Sequence, residues 1–289
     1  MAGKRHIGPG PRHARPDADG LWAAAPPHLR ELAGLADDLA CAAGEVHAEG
    51  RRGALRVETK SSPTDLVSQV DRQAERLIVE RLRASRPGDA VLGEEGALAE
   101  GSSGVRWVID PLDGTTNYVY GYPAYAVSIA VEIEGRPQIG VVYESSAGHL
   151  YRAIRGFGAF CDERRLHVRE QLDLSQALVA TGFSYEAAQR ERQGEAAALI
   201  LGRVRDIRRA GSAALDLCHL AAGHVDAYWE LDLSPWDYAA GSIIAHEAGA
   251  EVRRSRAAHG RGPAVVAAHP ALMPAFLALL GEAGALTEA

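Results

Sequence analysis

The apolar run Trp107-Val-Ile109 ends on Asp110-Pro-Leu-Asp113 and then on Gly114-Thr-Thr116. A short strand that delivers two carboxylates onto a tight Pro/Gly turn leaves few folds open. The two charges repel and raise each other's pKa unless something positive holds them. Hard divalent cations do this with oxygen ligands, and Mg2+ uses a few carboxylates while keeping waters and substrate phosphate. An Asp-rich turn by itself also fits an ordinary surface loop or a helix cap, so the rest of the chain has to decide.

The surrounding pattern is α/β. Leu29, Leu32, Leu35, Leu39, Ala43 and Val46 recur at helical spacing, and a second helix reaches about Ala84 with Val70, Ala74, Leu77, Ile78 and Leu82 on one face. Ala90 to Gly93 and Arg106 to Ile109 are expected strands, the latter carrying the Asp turn at its end. β-rich stretches follow at Tyr125 to Glu132 and Gln138 to Glu144, then a hairpin-like segment from His149 to Ile154, with Gly156-Phe-Gly-Ala-Phe160 closing the region. The second half alternates: strands at Leu178 to Thr181, Arg205 to Arg208, Asp226 to Glu230, Glu251-Val252 and Ala264 to Ala268, with helices at Ala187 to Leu201, Ala213 to Ala222, Trp236 to Ala248 and the C-terminus. This order predicts a layered α/β fold with mixed sheets. Residues 1–27, rich in Pro, Gly, Arg, His and Ala and lacking an apolar h-region, are expected to be a disordered arm rather than a secretory signal. Residues 28–289 would form the catalytic domain, with a metal-site half at 28–170 and a second α/β half at 171–289.

Several classes drop out. No GxGxxG follows the first strand, and neither GxxxxGK[ST] nor the GxSxG nucleophile elbow occurs. A net charge of -7 favours neither nucleic acid nor an anionic membrane as partner. The basic clusters Arg205-Asp-Ile-Arg-Arg209 and Arg253-Arg254 are short enough to be solvated faces. Cys41, Cys161 and Cys218 are odd in number and far apart, without CxxC spacing. They argue for a reducing, cytoplasmic setting and against both a disulfide framework and a thiolate metal site.

Four acidic positions fall where elements end: Glu94 after a strand, Asp110 and Asp113 after another, and Asp237 at a helix start behind Ser234-Pro-Trp. Sites in α/β proteins collect at such ends. Each has a plainer account alone, since Asp in a first helical turn is favoured by the backbone dipole and Glu94-Glu95 fits a solvated loop. Together they make a cage for two or more Mg2+ ions. Gly114 and the threonines add free amides for a phosphate if a helix starts there. A metal cage without a Ser or Cys nucleophile motif points to direct attack of an activated water on a phosphate ester.

With these residues in place the chain resembles the Mg2+-dependent, lithium-sensitive inositol monophosphatases. The resemblance runs from about Leu29 to the C-terminus. It rests on Gly93-Glu-Glu95, Trp107 to Asn117 and Trp236-Asp-Tyr-Ala-Ala-Gly241, with Lys60-Ser-Ser-Pro-Thr-Asp65 and Gly211-Ser-Ala-Ala214 matching as well. Within the family it looks closest to the bacterial inositol-1-monophosphatases. The resemblance implies an αβαβα sugar-phosphatase fold, a homodimer and two to three Mg2+ ions per site. By motif, Glu94, Asp110 and the carbonyl of Leu112 would hold the first ion, and Asp110, Asp113 and Asp237 the second, with a third near Glu94. Asp71 would pair with Thr115, alongside Glu94, to orient or deprotonate the attacking water. Lys60 and Asp65 would lie on the loop over the metals. The amides of Gly114 and Thr115 would take phosphate oxygens, and Gly211, Ser212, Ala213, Glu230 and Asp113 would meet the polyol.

The expected reaction is Mg2+-dependent hydrolysis of myo-inositol 1-phosphate by a metal-activated water, giving myo-inositol and phosphate. Relatives with nearly the same metal motif resemble this chain but cleave histidinol phosphate, fructose 1,6-bisphosphate or 3'-phosphoadenosine 5'-phosphate, the last fitting least well. From a different class, a regulatory interaction protein on the same fold is the rival reading. It would be favoured by a degraded carboxylate set, and every expected carboxylate is present.

Overall fold

The computed structural model describes residues 22–53, 55–60, 66–258 and 262–287. Asp65 and residues 1–21 lie outside them. The described packing includes part of the segment expected to be an arm. Trp22 is only 1% exposed, meets Phe160 edge-on at 5.9 Å between centroids, and lies under the Arg152 guanidinium.

Two helices open the fold, α1 (Pro27–Gly50) and α2 (Gln69–Ser85), with the short pair β1 (Val57–Thr59) and β2 (Leu66–Ser68) between them. The first large sheet takes β3 (Ala90–Gly93), β4 (Leu98–Ala99), β5 (Val105–Asp113), β6 (Ala126–Ile133), β7 (Arg136–Glu144), β8 (His149–Ile154), β9 (Gly158–Cys161) and β10 (Arg164–Arg165). Its order is β10-β9-β8-β7-β6-β5-β3-β4, and only β3 and β5 run parallel. The second sheet has β11 (Leu178–Thr181), β12 (Asp206–Arg208), β13 (Ala227–Leu231), β14 (Glu251–Arg256) and β15 (Pro263–Ala268) in the order β12-β11-β13-β15-β14. Its β12, β11 and β13 are parallel and the rest antiparallel, so both sheets are mixed.

Helices fill the spaces around them: α3 (Thr115–Tyr120), α4 (Ala187–Leu201), α5 (Ala213–Ala221), α6 (Pro235–Glu247) and α7 (Met273–Glu282). Four apolar cores identify the layers. Leu32, Leu39, Ala74 and Ile78 pack on Ile129 and Val141, joining α1 and α2 to the first sheet. Val108, Ala130 and Val142 meet Leu215, Ala240 and Ile244 of α5 and α6. Leu217, Leu220 and Ala245 pack on Tyr228 and Val265 of the second sheet. Ile200, Phe276 and Leu280 of α4 and α7 close its outer face over Trp229 and Val266. The stack is αβαβα. Its middle layer packs on both sheets, so the divide near residue 170 separates the sheets but not their packing.

Two local expectations change. Phe157 to Phe160 does not end the first sheet; β9 and β10 continue it. The Asp turn does not follow β5 but lies within it. Asp110 pairs with Ser128 and Asp113 with Ala126, so the register slips between them. Pro111 cannot donate to the ladder, which makes a bulge the natural outcome. The amide of Leu112 is taken up by Asp110 Oδ1 at 2.9 Å.

Candidate active site

The bulge turns Asp110 and Asp113 toward one cleft. The amide of Glu94, just past β3, donates to the Ile109 carbonyl at 3.1 Å and lays that carboxylate beside Asp110. From the middle layer comes Asp237, third residue of α6, whose Oδ2 accepts the Ser234 amide at 2.6 Å in a capping box. The plain reading of Asp237 as a cap therefore holds, and its charge still faces Glu94 and Asp113. Asp110 is 2% exposed. Burial pushes its pKa well above the carboxylate range, with Glu94, Asp113 and Asp237 adding to the shift. Burial also raises Asp237 far above its ordinary value and lifts Asp113 to about 6.

Lys60 is the cation on this cluster, with Nζ 2.8 Å from Glu94 Oε1 and paired with Glu95. Burial opposes its charge, yet the two glutamates outweigh that and hold its pKa above the usual range. One ammonium cannot offset four carboxylates. An all-oxygen, buried, mutually repelling donor set fits a hard cation, and neither thiol nor imidazole competes within it.

On the opposite side, Thr115 Oγ1 donates to Asp71 Oδ1 at 2.8 Å and lies 3.1 Å from the Leu112 carbonyl. Asp71 is third in α2, where its Oδ2 accepts from the Ser68 amide (2.9 Å) and hydroxyl (2.6 Å). Its two oxygens thus divide between capping and Thr115. Burial raises its pKa, and the Ser68 and Thr115 bonds only partly offset this. Gly114 bridges β5 to α3 with φ 89°, and a Cβ there would come 2.7 Å from the Ala124 carbonyl. Only glycine suits that position.

The N-terminus of α5 completes the cleft. Asp113 Oδ2 accepts Ser212 Oγ at 2.5 Å and the Ala214 amide at 2.8 Å, and the Ala213 amide also faces it. Gly211 lies against Gly114, its carbonyl 3.3 Å from where a Cβ would stand. Glu230, near the end of β13, binds the Tyr228 hydroxyl at 3.0 Å. Burial lifts its pKa to about 7, with Asp113 pushing the same way and Arg209 opposing.

Several contributors escaped the sequence reading. His47 of α1 donates from Nε2 to the Pro111 carbonyl at 2.9 Å, and its Nδ1 lies 2.8 Å from the Ser145 hydroxyl, holding the bulge from behind. Glu75 takes the amides of Glu95 (2.9 Å) and Ala97 (3.1 Å), fixing the turn that carries Glu94. Asp216 is buried one turn into α5, its pKa raised by burial and then by Glu230 and Asp113. Arg209 was read as part of a solvated face, yet its charge reaches Glu230 and Asp216. None of these carries a local motif. A helical face containing histidine or glutamate reads as solvent-facing until its tertiary partner is known.

Elsewhere among the described residues, His149, Cys161 and Asp162 hold possible ligand atoms within 4.8 Å of one another, a group able to bind a metal ion. Sequence spacing argued against a thiolate site. Antiparallel pairing of β8 with β9 brings these three side chains together although His149 and Cys161 are twelve residues apart in the chain. No described helix is long and apolar enough to cross a membrane.

Comparison with known proteins places this geometry. Residues 28–284 match the inositol monophosphatase family. The inositol-1-monophosphatase SuhB of Mycobacterium tuberculosis is 50% identical over 234 residues, covering 78% of this chain and 81% of that protein. A Nus factor SuhB of Vibrio cholerae is 44% identical over 213 residues, covering 73% and 80%. The crystal structure of the extragenic suppressor protein suhB from Bartonella henselae superposes with TM-score 0.80 at 33% identity, covering 86% of this chain and 98% of that one.

Proposed function

Since the chain belongs to the inositol monophosphatase family, we propose that its cleft hydrolyses myo-inositol 1-phosphate to myo-inositol and phosphate with Mg2+ as cofactor. It is a phosphoric monoester hydrolase. The observation that carries the reading is the convergence of Glu94, Asp110, Asp113 and Asp237, the three aspartates raised in pKa by burial and by their neighbours' charges, beside the Thr115–Asp71 pair.

Glu94, Asp110, Asp113, Asp237 and the Leu112 carbonyl would hold two to three Mg2+ ions. When bound, these supply positive charge to the phosphoryl oxygens and lower the pKa of the attacking water. The protein's own groups do the rest. Thr115 Oγ1, already donating to Asp71, offers its lone pairs to an incoming water and so orients it. As the water attacks, its proton passes to Thr115 while the Thr115 proton passes to Asp71. Burial makes Asp71 a better acceptor than an exposed aspartate. Glu94 is the second base within reach of the same water. Positioned proton transfer of this kind contributes about 10²–10⁴-fold. The amides of Gly114 and Thr115 serve the phosphate, with Lys60 beside it on Glu94.

Substrate choice rests on the far wall. Glu230 with Asp113 pairs hydroxyls of the polyol, and Gly211, Ser212 and Ala213 keep that wall small enough for a ring. Pockets built to pair hydroxyls reject analogues that leave those groups unpaired. Histidinol phosphate and fructose 1,6-bisphosphate are the alternatives. A regulatory interaction role, suggested by the name of the Vibrio relative, would leave the complete carboxylate set without a task. A homodimer and a cytoplasmic setting belong to the same proposal, supported by the family resemblance and the three free cysteines.

The deciding experiment is phosphate release with Mg2+ on inositol 1-phosphate, histidinol phosphate, fructose 1,6-bisphosphate and 3'-phosphoadenosine 5'-phosphate in parallel. Preference for inositol 1-phosphate, lost with EDTA, is the expected result. Preference for another ester would replace the substrate, and no turnover on any would overturn the reading.

A further inference from the structure

The end of the first sheet that carries Asp113 also carries a second group of ligating side chains. Along that end Asp113 pairs with Ala126, Ala126 with Glu144, and Glu144 with His149. Three strand spacings put His149 about 14 Å from Asp113 across the sheet. The carboxylate cage and this group are therefore separate places.

His149 opens β8 and Cys161 closes β9, while Asp162 sits in the turn beyond with φ 55°. That backbone is anchored on both sides: the Leu150 amide donates to Asp162 Oδ1 at 3.1 Å, and the Asp162 amide donates to the Leu150 carbonyl at 2.8 Å. The remaining oxygen, Oδ2, lies 2.9 Å from His149 Nδ1 and 3.9 Å from Cys161 Sγ. The three residues line a cavity of about 690 Å³. His219, in the last turn of α5, and His224, just past that helix, line the same cavity, with ring centroids 5.6 Å apart. His149 is half-exposed, which leaves the cavity an entrance.

We propose that this cavity is a second metal site, selective for borderline divalent ions of the Zn2+ class, with His149, Cys161 and Asp162 as ligands. Ligand chemistry separates the two sites. Imidazole and thiolate suit zinc-class ions, whereas the all-carboxylate cage suits Mg2+. Coordination replaces the Cys161 S–H bond by a sulfur–metal bond and releases that proton to solvent. All three ligands belong to the β8–β9 hairpin and the turn just beyond it, so the ion ties the start of β8 to the end of β9. The His149–Asp162 contact would otherwise be an ordinary surface pair.

The test uses the full chain with excess Mg2+, so that the carboxylate cage has its own ion, and titrates Co2+ as a spectroscopic stand-in for Zn2+. One equivalent should produce thiolate-to-metal charge-transfer absorption and tetrahedral bands, displaced by Zn2+, with a rise in melting temperature. Replacing the half-exposed His149→Ala should weaken binding by more than the roughly 10- to 100-fold that loss of an outer partner of a ligand costs, and Cys161→Ser should abolish the charge-transfer band. Asp237→Asn, which alters only the cage, should leave both signals intact. The proposal is overturned by absence of a thiolate band in the native chain, by its survival in Cys161→Ser, or by its loss in Asp237→Asn. Should Cys161→Ser not fold, undiminished affinity in the folded His149→Ala protein overturns it equally.

Discussion

At the scale of single residues, the site is a set of charges kept where they are unfavourable. Asp110 faces burial and three other carboxylates at once. Asp110→Asn should lower phosphate release by at least the ~10²–10³-fold that loss of one preorganised electrostatic group costs. In EDTA the same protein should melt higher than wild type, since one repulsion is gone; a near-wild-type rate would refute the assignment. Thr115→Ala should lower kcat by about 10²–10⁴-fold with little change in KM, because Thr115 acts on the water rather than on the polyol. His47 poses the opposite problem. Burial lowers its pKa from 6.5 to about 4, so the folded state favours the neutral ring. Its contribution is complete above about pH 6.5 and fades as pH falls toward 4, where protonation favours unfolding. The shift corresponds to about 3 kcal/mol. The carboxylate cluster titrates the other way, gaining stability as pH falls, so the comparison must be a difference. Urea unfolding of wild type and His47→Gln across pH 7 to 4 should show the wild-type advantage shrinking by about that amount. A constant difference would mean that His47 is not buried neutral.

Elements hold these residues by close approach. Gly140 of β7 lies under α6, and a Cβ there would overlap the Ala240 carbonyl. Gly140→Ala should cost about 1–3 kcal/mol as the helix is pushed from the sheet. Because Ala240 is one turn beyond Asp237, phosphate release should fall as well. Loss of stability with full activity would show that α6 position and metal-ligand position are not coupled. The elements themselves were mostly legible in the chain. Apolar spacing marked α1 and α2, and alternation of strand and helix marked the second half, because those patterns record which face is buried. The misreadings share a cause. Pro111 and Gly114 suggested that β5 stopped at Ile109, whereas pairing with β6 on the far side carries the strand through a bulge to Asp113. Gly156 and Gly158 suggested an end where a two-strand continuation follows. Trp22 looked like part of a loose arm because its partners, Phe160 and Arg152, lie more than a hundred residues away. Motif-bearing carboxylates were legible, but the residues that aim them, His47 and Glu75, were not. Their meaning exists only once α1 and α2 are laid against the sheet.

For the molecule as a whole, the location of the cage follows from the layering. Glu94 lies just past β3, Asp110 and Asp113 flank the bulge of β5 in the first sheet, Asp237 starts a middle-layer helix, and Glu230 belongs to the second sheet. The middle helices pack against both sheets, so the charges cannot relax by moving one half away from the other. Folding without metal must carry their repulsion across the whole stack, and cation binding should relieve it across the whole stack too. Thermal unfolding should therefore remain one transition with or without Mg2+, rather than splitting near residue 170. At Mg2+ about 100-fold above its Kd, linkage adds about 2.7 kcal/mol. For a chain of this size that is a rise of roughly 4–5 °C. Asp237→Asn should begin from a higher melting point in EDTA and gain much less from Mg2+, because it has lost both the repulsion and a ligand. A full Mg2+ response in that variant would place the ion elsewhere. A two-step transition would show instead that the sheets are held together less tightly than their shared helical layer requires.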